Sequence, residues 1–329
     1  MLKPEQKLNS KLFDLSVDQA PIRDGYGRGL VAAGEADSRV VALCADLTES
    51  TRTEAFAEKF PDRFIQVGVA EQNLAAVASG LSAGGKIPFI TSYAMFSPGR
   101  NWEQIRTTIC YNNQPVNIAG SHAGISVGPD GGTHQAIEDI AITRVIPRLQ
   151  VIAPCDVNEA KKATLAAAKS GSPTYLRLAR NPTPVVTTEG SPFIIGQANV
   201  LWADEKPAVA IIACGSLVYQ ALLAAKKLSA EGLPVSVTNL HTIKPLDEKT
   251  LTRVCGEASA VVTVEEHQKA GGLGSAVAEF LAGTVPKPME FVAVNDEFGQ
   301  SGEPNQLLEH YHLDSAGIIE AVKKAKGRT

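Results

Sequence analysis

The stretch Gly68-Val69-Ala70-Glu71-Gln72 sets one carboxylate between an apolar run, Phe64 to Val67, and a nearly charge-free one, Asn73 to Ala83. A carboxylate there is largely stripped of water. Glu71 is therefore expected either to resist ionisation or to face a strong hydrogen-bond donor on something that docks against it, which points toward a cofactor. The competing reading is structural: an acidic residue at the positive N-terminal end of the following helix. Tyr93 and Phe96, three apart after an apolar strand, could offer a ring face to a flat heterocycle such as a pyrimidine, or pack in the core. A third feature is the loop His122-Ala-Gly-Ile-Ser-Val-Gly-Pro-Asp130-Gly-Gly-Thr-His134-Gln135, with four glycines, one aspartate and two of the six histidines. Glycines allow close backbone approach, while two imidazoles and a carboxylate can orient hydroxyls and exchange protons near neutral pH. The alternative is a Gly-rich turn whose polar residues face water. His122, His134 and Asp130 do not complete a metal-ligand set. Arg177 and Arg180, with Arg23 and Ser50 at element ends in the same half, are either solvated surface groups or a clamp for phosphate, which guanidinium groups grip bidentately.

Parallel strands joined by helices would position these residues. Short apolar runs near Val40 to Cys44, Phe64 to Val67, Ile87 to Ile90, Val116 to Ala119, Leu149 to Ala153 and Thr174 to Leu178 read as strands. Helices fill the gaps over Arg23 to Ala36, Glu54 to Phe60, Gln72 to Ala83, Trp102 to Cys110 and Val157 to Lys169, the last capped by Asp156. Asn181 to Gly196, with three prolines and two glycines, reads as a linker. The same alternation then resumes, with strands Ala208 to Ala213, Val235 to Asn239, Ala260 to Val264 and Met289 to Val294, and helices Val218 to Ala230, Asp247 to Val254 and Gly274 to Leu281. The fold class is α/β, with two domains, 1–188 and 189–329, each a mostly parallel sheet covered by helices. In the second, Glu265-Glu266-His267-Gln268 and Gly271-Gly272-Leu273-Gly274 resemble a nucleotide loop weakly, and backbone turning or subunit contact is at least as good a reading.

Composition limits the classes. The 329 residues are 44% hydrophobic, 20% charged and 5% aromatic, with a formal net charge of -4. No basic stretch interleaved with aromatics is present, so nucleic acid is not indicated. The five scattered cysteines (Cys44, Cys110, Cys155, Cys214 and Cys255) suit reduced buried thiols. The N-terminus lacks an apolar signal core and no run spans a bilayer, so no membrane partner is expected and the cytoplasm is the expected compartment.

Taken in order, Gly68-Val-Ala-Glu71-Gln72-Asn, Tyr93 with Phe96, Gly128-Pro-Asp130-Gly-Gly-Thr-His134-Gln135, Arg177-Leu-Ala-Arg180, His241-Thr-Ile-Lys-Pro-Leu and Val264-Glu-Glu-His resemble the pyrimidine-binding and C-terminal domains of transketolase. The resemblance implies thiamine diphosphate as cofactor. Glu71 would bond a ring nitrogen of its aminopyrimidine and favour the imino tautomer that removes the thiazolium proton, with Gln72 beside it and Tyr93 and Phe96 stacked on the ring. His122, Asp130 and His134 would hold the sugar's carbonyl and hydroxyls, the two histidines as catalytic groups. Arg23, Ser50, His122 and Arg180 would meet its phosphate, with Arg177 as a neighbour.

Two local departures bear on substrate fit: Pro129 where the family often has an acidic residue, and Pro98-Gly99 where another aromatic is usual. The largest departure is that the family's Gly-Asp-Gly and following Asn, which bind Mg2+ and the diphosphate, do not occur. The chain is thus expected to be the C-terminal subunit of a two-gene transketolase of the pentose phosphate pathway, inactive until joined, as a heterotetramer, to a separate N-terminal subunit holding Mg2+ and the diphosphate. Three alternatives stand beside it: a 2-oxo-acid dehydrogenase beta subunit, a 1-deoxyxylulose-5-phosphate-synthase-like enzyme, and a non-catalytic paralogue serving as a binding partner. The Gly-Pro-Asp-Gly-Gly-Thr-His loop and paired arginines count against the first. Glu71 together with both loop histidines counts against the last.

Overall fold

A computed structural model describes residues 1–329. Valine, isoleucine and alanine runs form two sheets, both covered by helices. The first has seven strands in the spatial order Thr242–Lys244, Gln150–Ile152, Thr174–Leu178, Asn117–Ser121, Ile87–Tyr93, Val40–Cys44 and Phe64–Gln66. All pair in parallel except the first, which is antiparallel. The second has five, Met289–Val294, Ala260–Gln268, Val209–Ala213, Val235–Asn239 and Asn199–Ala203, again parallel except for the last. Strands Val40–Cys44, Thr174–Leu178 and Val209–Ala213 are buried at every position, as strands in covered parallel sheets are, with Arg177 the one charged residue among them.

Several expected boundaries shift for identifiable reasons. Trp102 to Cys110 is one α turn, Trp102–Gln104, followed by a π-helix, Ile105–Tyr111. The linker contains a strand, Pro182–Pro184, paired with Gln19–Pro21; both are edge strands, where proline's missing donor does no harm. Ala260 to Val264 extends to Gln268, carrying Glu265, Glu266 and His267 inside the sheet. Asp156 caps its helix as expected, accepting the Glu159 N–H at 2.8 Å.

The two sheets are not independent. Thr242–Lys244, from the second half of the chain, closes the edge of the first sheet. The N-terminal segment lies on the second sheet, with a bridge between Leu2 and Trp202 and the terminal amine 2.9 Å from Asp204. One apolar cluster runs from Leu43, Ile90 and Ile118 to Ile212, Leu240 and Leu273. The five cysteines are free and buried, and no helix is long and apolar enough to cross a membrane.

Helix Ile22–Ala36 carries Arg23 and contains Gly25, Gly27, Gly29 and Gly34, each unfavourable in a helix by roughly 1 kcal/mol relative to alanine. Close packing accounts for them. A Cβ at Gly29 would lie 2.7 Å from that of Thr164 in helix Val157–Ser170, and one at Gly25 would collide with Val157. These glycines let the two helices approach and set Arg23 at the rim.

Candidate active site

Helix Glu71–Ala83 buries Glu71, Leu74, Ala75, Ala78, Ser79 and Ser82, the spacing of one helical face. Glu71 is thus the first residue on the inward stripe. It occupies the helix N-terminus, as the structural reading expects, and is also only 3% exposed. Its carboxylate accepts from Ser92 Oγ at 3.1 Å and from Arg100 at 3.1 Å, and its backbone carbonyl accepts from Asn101. The expected strong donor is present and comes from the chain itself. Arg100 escaped the sequence reading, because it follows Pro98-Gly99 in a run of turns with no helical or strand period.

Arg100 is half exposed and lies over the Phe96 ring, 4.1 Å from its centroid. From there the aromatic groups are continuous. Phe96 meets His134 edge-on at 5.4 Å, and Tyr93 stacks on His122 at 3.8 Å and lies 6.0 Å from Phe96. Tyr93 and Phe96 are half-buried, so the core-packing alternative does not describe them. Strand Ile87–Tyr93 delivers both: the chain turns at its end, with Phe96 and Ser97 donating backbone N–H groups to the Tyr93 carbonyl.

His122 follows strand Asn117–Ser121 in a left-handed conformation, φ 59°, uncommon for a residue with a side chain. Its Nδ1 lies 2.9 Å from Ser121 Oγ and its Nε2 3.3 Å from Arg23. A guanidinium only donates, so Nε2 accepts and Nδ1 carries the proton toward the serine. Burial first, then the positive Arg23 and Arg180, push its pKa down to about 3, so the ring is neutral. Arg23 is itself lowered, by burial and then by Arg52. Arg23 also donates to the Ser50 carbonyl at 2.5 Å, so Ser50 enters through its backbone rather than its hydroxyl. Arg180 donates to the Val127 carbonyl at 3.0 Å. Arg52, unremarked in the sequence, pairs with Asp24 at 2.7 Å and adds to the positive rim.

Three expected site residues stand apart. Arg177 is a correction: it is 7% exposed and spent on Asp139 at 2.8 Å, the Ala136 carbonyl and the Glu266 carbonyl, because it lies inside a strand covered on both faces, whereas Arg180 lies past its end. Gln72 projects to the exposed face of its helix and its side chain makes no hydrogen bond to the cluster. Asp130 occupies an exposed turn of the His122 to Gln135 loop and forms no ion pair. His134 is half-buried, its Nδ1 2.9 Å from Thr133 Oγ1.

The Gly271 to Gly274 loop is not a phosphate site. Glu265 fills the N-terminus of helix Leu273–Gly283, accepting the Leu273 and Gly274 N–H groups at 2.6 and 2.7 Å. A carboxylate already occupies the place a phosphate would take.

The comparisons agree with this architecture. The family described as "Transketolase, pyrimidine binding domain" matches residues 18–185, and "Transketolase, C-terminal domain" matches residues 196–318. A protein of Methanocaldococcus jannaschii, provisionally named a transketolase C-terminal section, is 41% identical over 92% of this chain and 95% of its own length. A 6-deoxy-6-sulfo-D-fructose transketolase subunit of a Clostridium species is 37% identical, covering 96% of this chain and 98% of itself. A solved structure described as a split gene transketolase, inactive beta4 tetramer, superposes with a TM-score of 0.87 at 44% identity, covering 93% of this chain and 98% of that one. The chain belongs to the transketolase family and carries its pyrimidine-binding and C-terminal domains.

Proposed function

We propose that this chain is the C-terminal subunit of a thiamine-diphosphate-dependent transketolase, transferring a two-carbon ketol unit between sugar phosphates together with a separate N-terminal subunit. One observation carries this reading: the buried Glu71 carboxylate bonds the half-exposed Arg100, which lies over the Phe96 ring in a run of half-buried rings that continues to Tyr93. A polar-edged aromatic ring fits such a place, apolar on its faces and bonded at its edge. The sequence holds no Gly-Asp-Gly with a following Asn, the residues that the family's Mg2+ and diphosphate end would need. That end is assigned to the partner, in a heterotetramer with two copies of each chain. Relatives matched over nearly their whole length and named as a section or subunit support the division.

When bound, thiamine diphosphate supplies the nucleophilic carbon and the electron sink that carbon–carbon bond exchange needs. The chain's residues do the rest. Glu71, once Arg100 moves aside, would hold the edge of the pyrimidine, and Tyr93 and Phe96 would hold its face. Neutral His122 and half-buried His134, with Asp130 on the same loop, orient substrate oxygens, and His122 Nε2 is a proton acceptor once Arg23 turns to an anion. Arg23 and Arg180 grip the terminal phosphate, with the Ser50 turn behind Arg23. The expected setting is the pentose phosphate pathway in the cytoplasm.

The test is reconstitution: the chain mixed with its partner, Mg2+, thiamine diphosphate, xylulose 5-phosphate and ribose 5-phosphate forms sedoheptulose phosphate. Pyruvate decarboxylation without that product assigns the chain to a different thiamine enzyme. Full activity of the chain alone overturns the divided site. A sulfonated sugar in place of the phosphorylated donor tests whether the arginine rim reads phosphate or any terminal anion, a distinction raised by the sulfosugar subunit among the relatives.

A further inference from the structure

The second unit reaches into the loop that bears His122 and Asp130, and its reach is concentrated in one side chain. Glu266, 3% exposed in strand Ala260–Gln268, accepts the Ser126 backbone N–H on Oε1 and the Ser216 hydroxyl on Oε2 at 2.8 Å. Gly124, φ 90°, passes so near that a Cβ there would lie 2.5 Å from the Glu266 carboxyl carbon. The far end of the loop is tied to the same unit, where Gln135 donates to the Gln300 carbonyl at 3.0 Å. On the other side of the turn, the Val127 carbonyl holds Arg180 at 3.0 Å, and the Ala123 N–H, next to His122, donates to Leu178.

We infer that Glu266 is a positioning residue: from the second unit it fixes the 124–127 turn, and through that turn the Arg180 guanidinium and the His122 ring. The inference rests on the reading above, in which Arg180 and His122 meet the phosphorylated sugar. A carboxylate suits the position because both of its oxygens only accept, one for each donor. A glutamine could keep its carbonyl on the Ser126 N–H and turn its NH2 to the Ser216 oxygen, so alanine, which leaves both donors without a partner, is the discriminating change. Arg177 belongs to the same arrangement, since its guanidinium donates to the Glu266 carbonyl at 2.8 Å and fixes the backbone from which the carboxylate projects.

Glu266→Ala tests this in two ways. In the free full-length chain, amide hydrogen exchange at residues 124–128 should rise about tenfold or more, the loss expected for a hydrogen bond to a charged group, while Ile211 and Ile212 in the second sheet are unchanged. In the reconstituted complex, KM for the phosphorylated sugar should rise about tenfold and kcat should fall, with the Kd for thiamine diphosphate within about twofold of wild type. Ser216→Ala, which removes one donor and folds more safely, should give the same pattern at smaller amplitude. Unchanged exchange at 124–128, a rise spread evenly over both sheets, or KM and cofactor Kd moving together overturns the inference. If the wild-type complex leaves sugar phosphates untouched, the functional reading fails, and the exchange experiment still decides whether Glu266 holds the turn.

Discussion

Glu71 and Glu266 are equally buried, at 3% exposure each, yet their surroundings differ in kind. Glu266 is held by a backbone N–H, that of Ser126, and by the half-buried Ser216 hydroxyl of the Gly215–Leu217 turn. Glu71 has a serine hydroxyl and a guanidinium whose side chain is half exposed. Burial does not tell the two carboxylates apart; the exposure of their donors does. The arginines repeat the contrast three residues apart, with Arg177 enclosed between sheet and second unit and Arg180 at a rim.

The largest effect is expected from Glu71→Ala, which should lower turnover of the reconstituted complex by about 10²- to 10⁴-fold while the far-ultraviolet circular dichroism is kept. Near-normal turnover would erase the difference drawn between the two glutamates. Arg177→Ala should cost about 3–5 kcal/mol in urea unfolding, because it leaves the carboxylate of Asp139 buried without its cation. A loss under about 1 kcal/mol would mean the pair is not enclosed as described. Arg180→Ala reverses the balance: stability within about 1 kcal/mol of wild type, and KM for phosphorylated sugars raised about tenfold or more. Equal losses with unphosphorylated sugars would contradict its place at the phosphate.

His122 sharpens the comparison through pH. Its ring takes up a proton near pH 6.5 in the unfolded chain and only near 3 in the fold. Between those values the unfolded state binds the extra proton, so this group removes about 1.4 kcal/mol of stability per unit as pH falls, and none above 6.5. Arg23→Gln takes away a neighbouring positive charge and should raise the folded value, which ring NMR titration would read directly. Arg100→Ala leaves the buried Glu71 carboxylate with Ser92 as its remaining side-chain donor, but solvent can take the place of the half-exposed guanidinium, so the loss should stay below that of Arg177→Ala, under about 3 kcal/mol. A large loss would put Arg100 with the structural groups.

Much of this was legible in residues with sharp local signals. Strands Val40–Cys44, Thr174–Leu178, Val235–Asn239 and Met289–Val294 and helix Val218–Ala230 lie where apolar periodicity sets them, since covered sheets demand continuous apolar runs. Glu71, with no charged neighbour from Phe64 to Ala83, was visible for the same reason. The arginine pair misled because spacing alone says nothing of strand ends: Arg177 falls inside the run Thr174 to Leu178, and that boundary held the warning. Thr242–Lys244 and Pro182–Pro184 were missed because three residues are too few for a period, and prolines flank or occupy both. Glu265 and Glu266 read as a loop because paired acids rarely sit in a covered strand; the donors that permit it come from Ser126, Ser216, Leu273 and Gly274, distant in sequence or hidden in backbone.

The strand Thr242–Lys244 has a consequence for anyone who trims the gene. A fragment ending before it would keep every ring and guanidinium of the pocket but bare the Gln150–Ile152 flank, a row of unmatched amide and carbonyl groups beside apolar Val151 and Ile152. Naked borders of that kind recruit one another, so the shortened product should clump rather than behave as a minimal enzyme half.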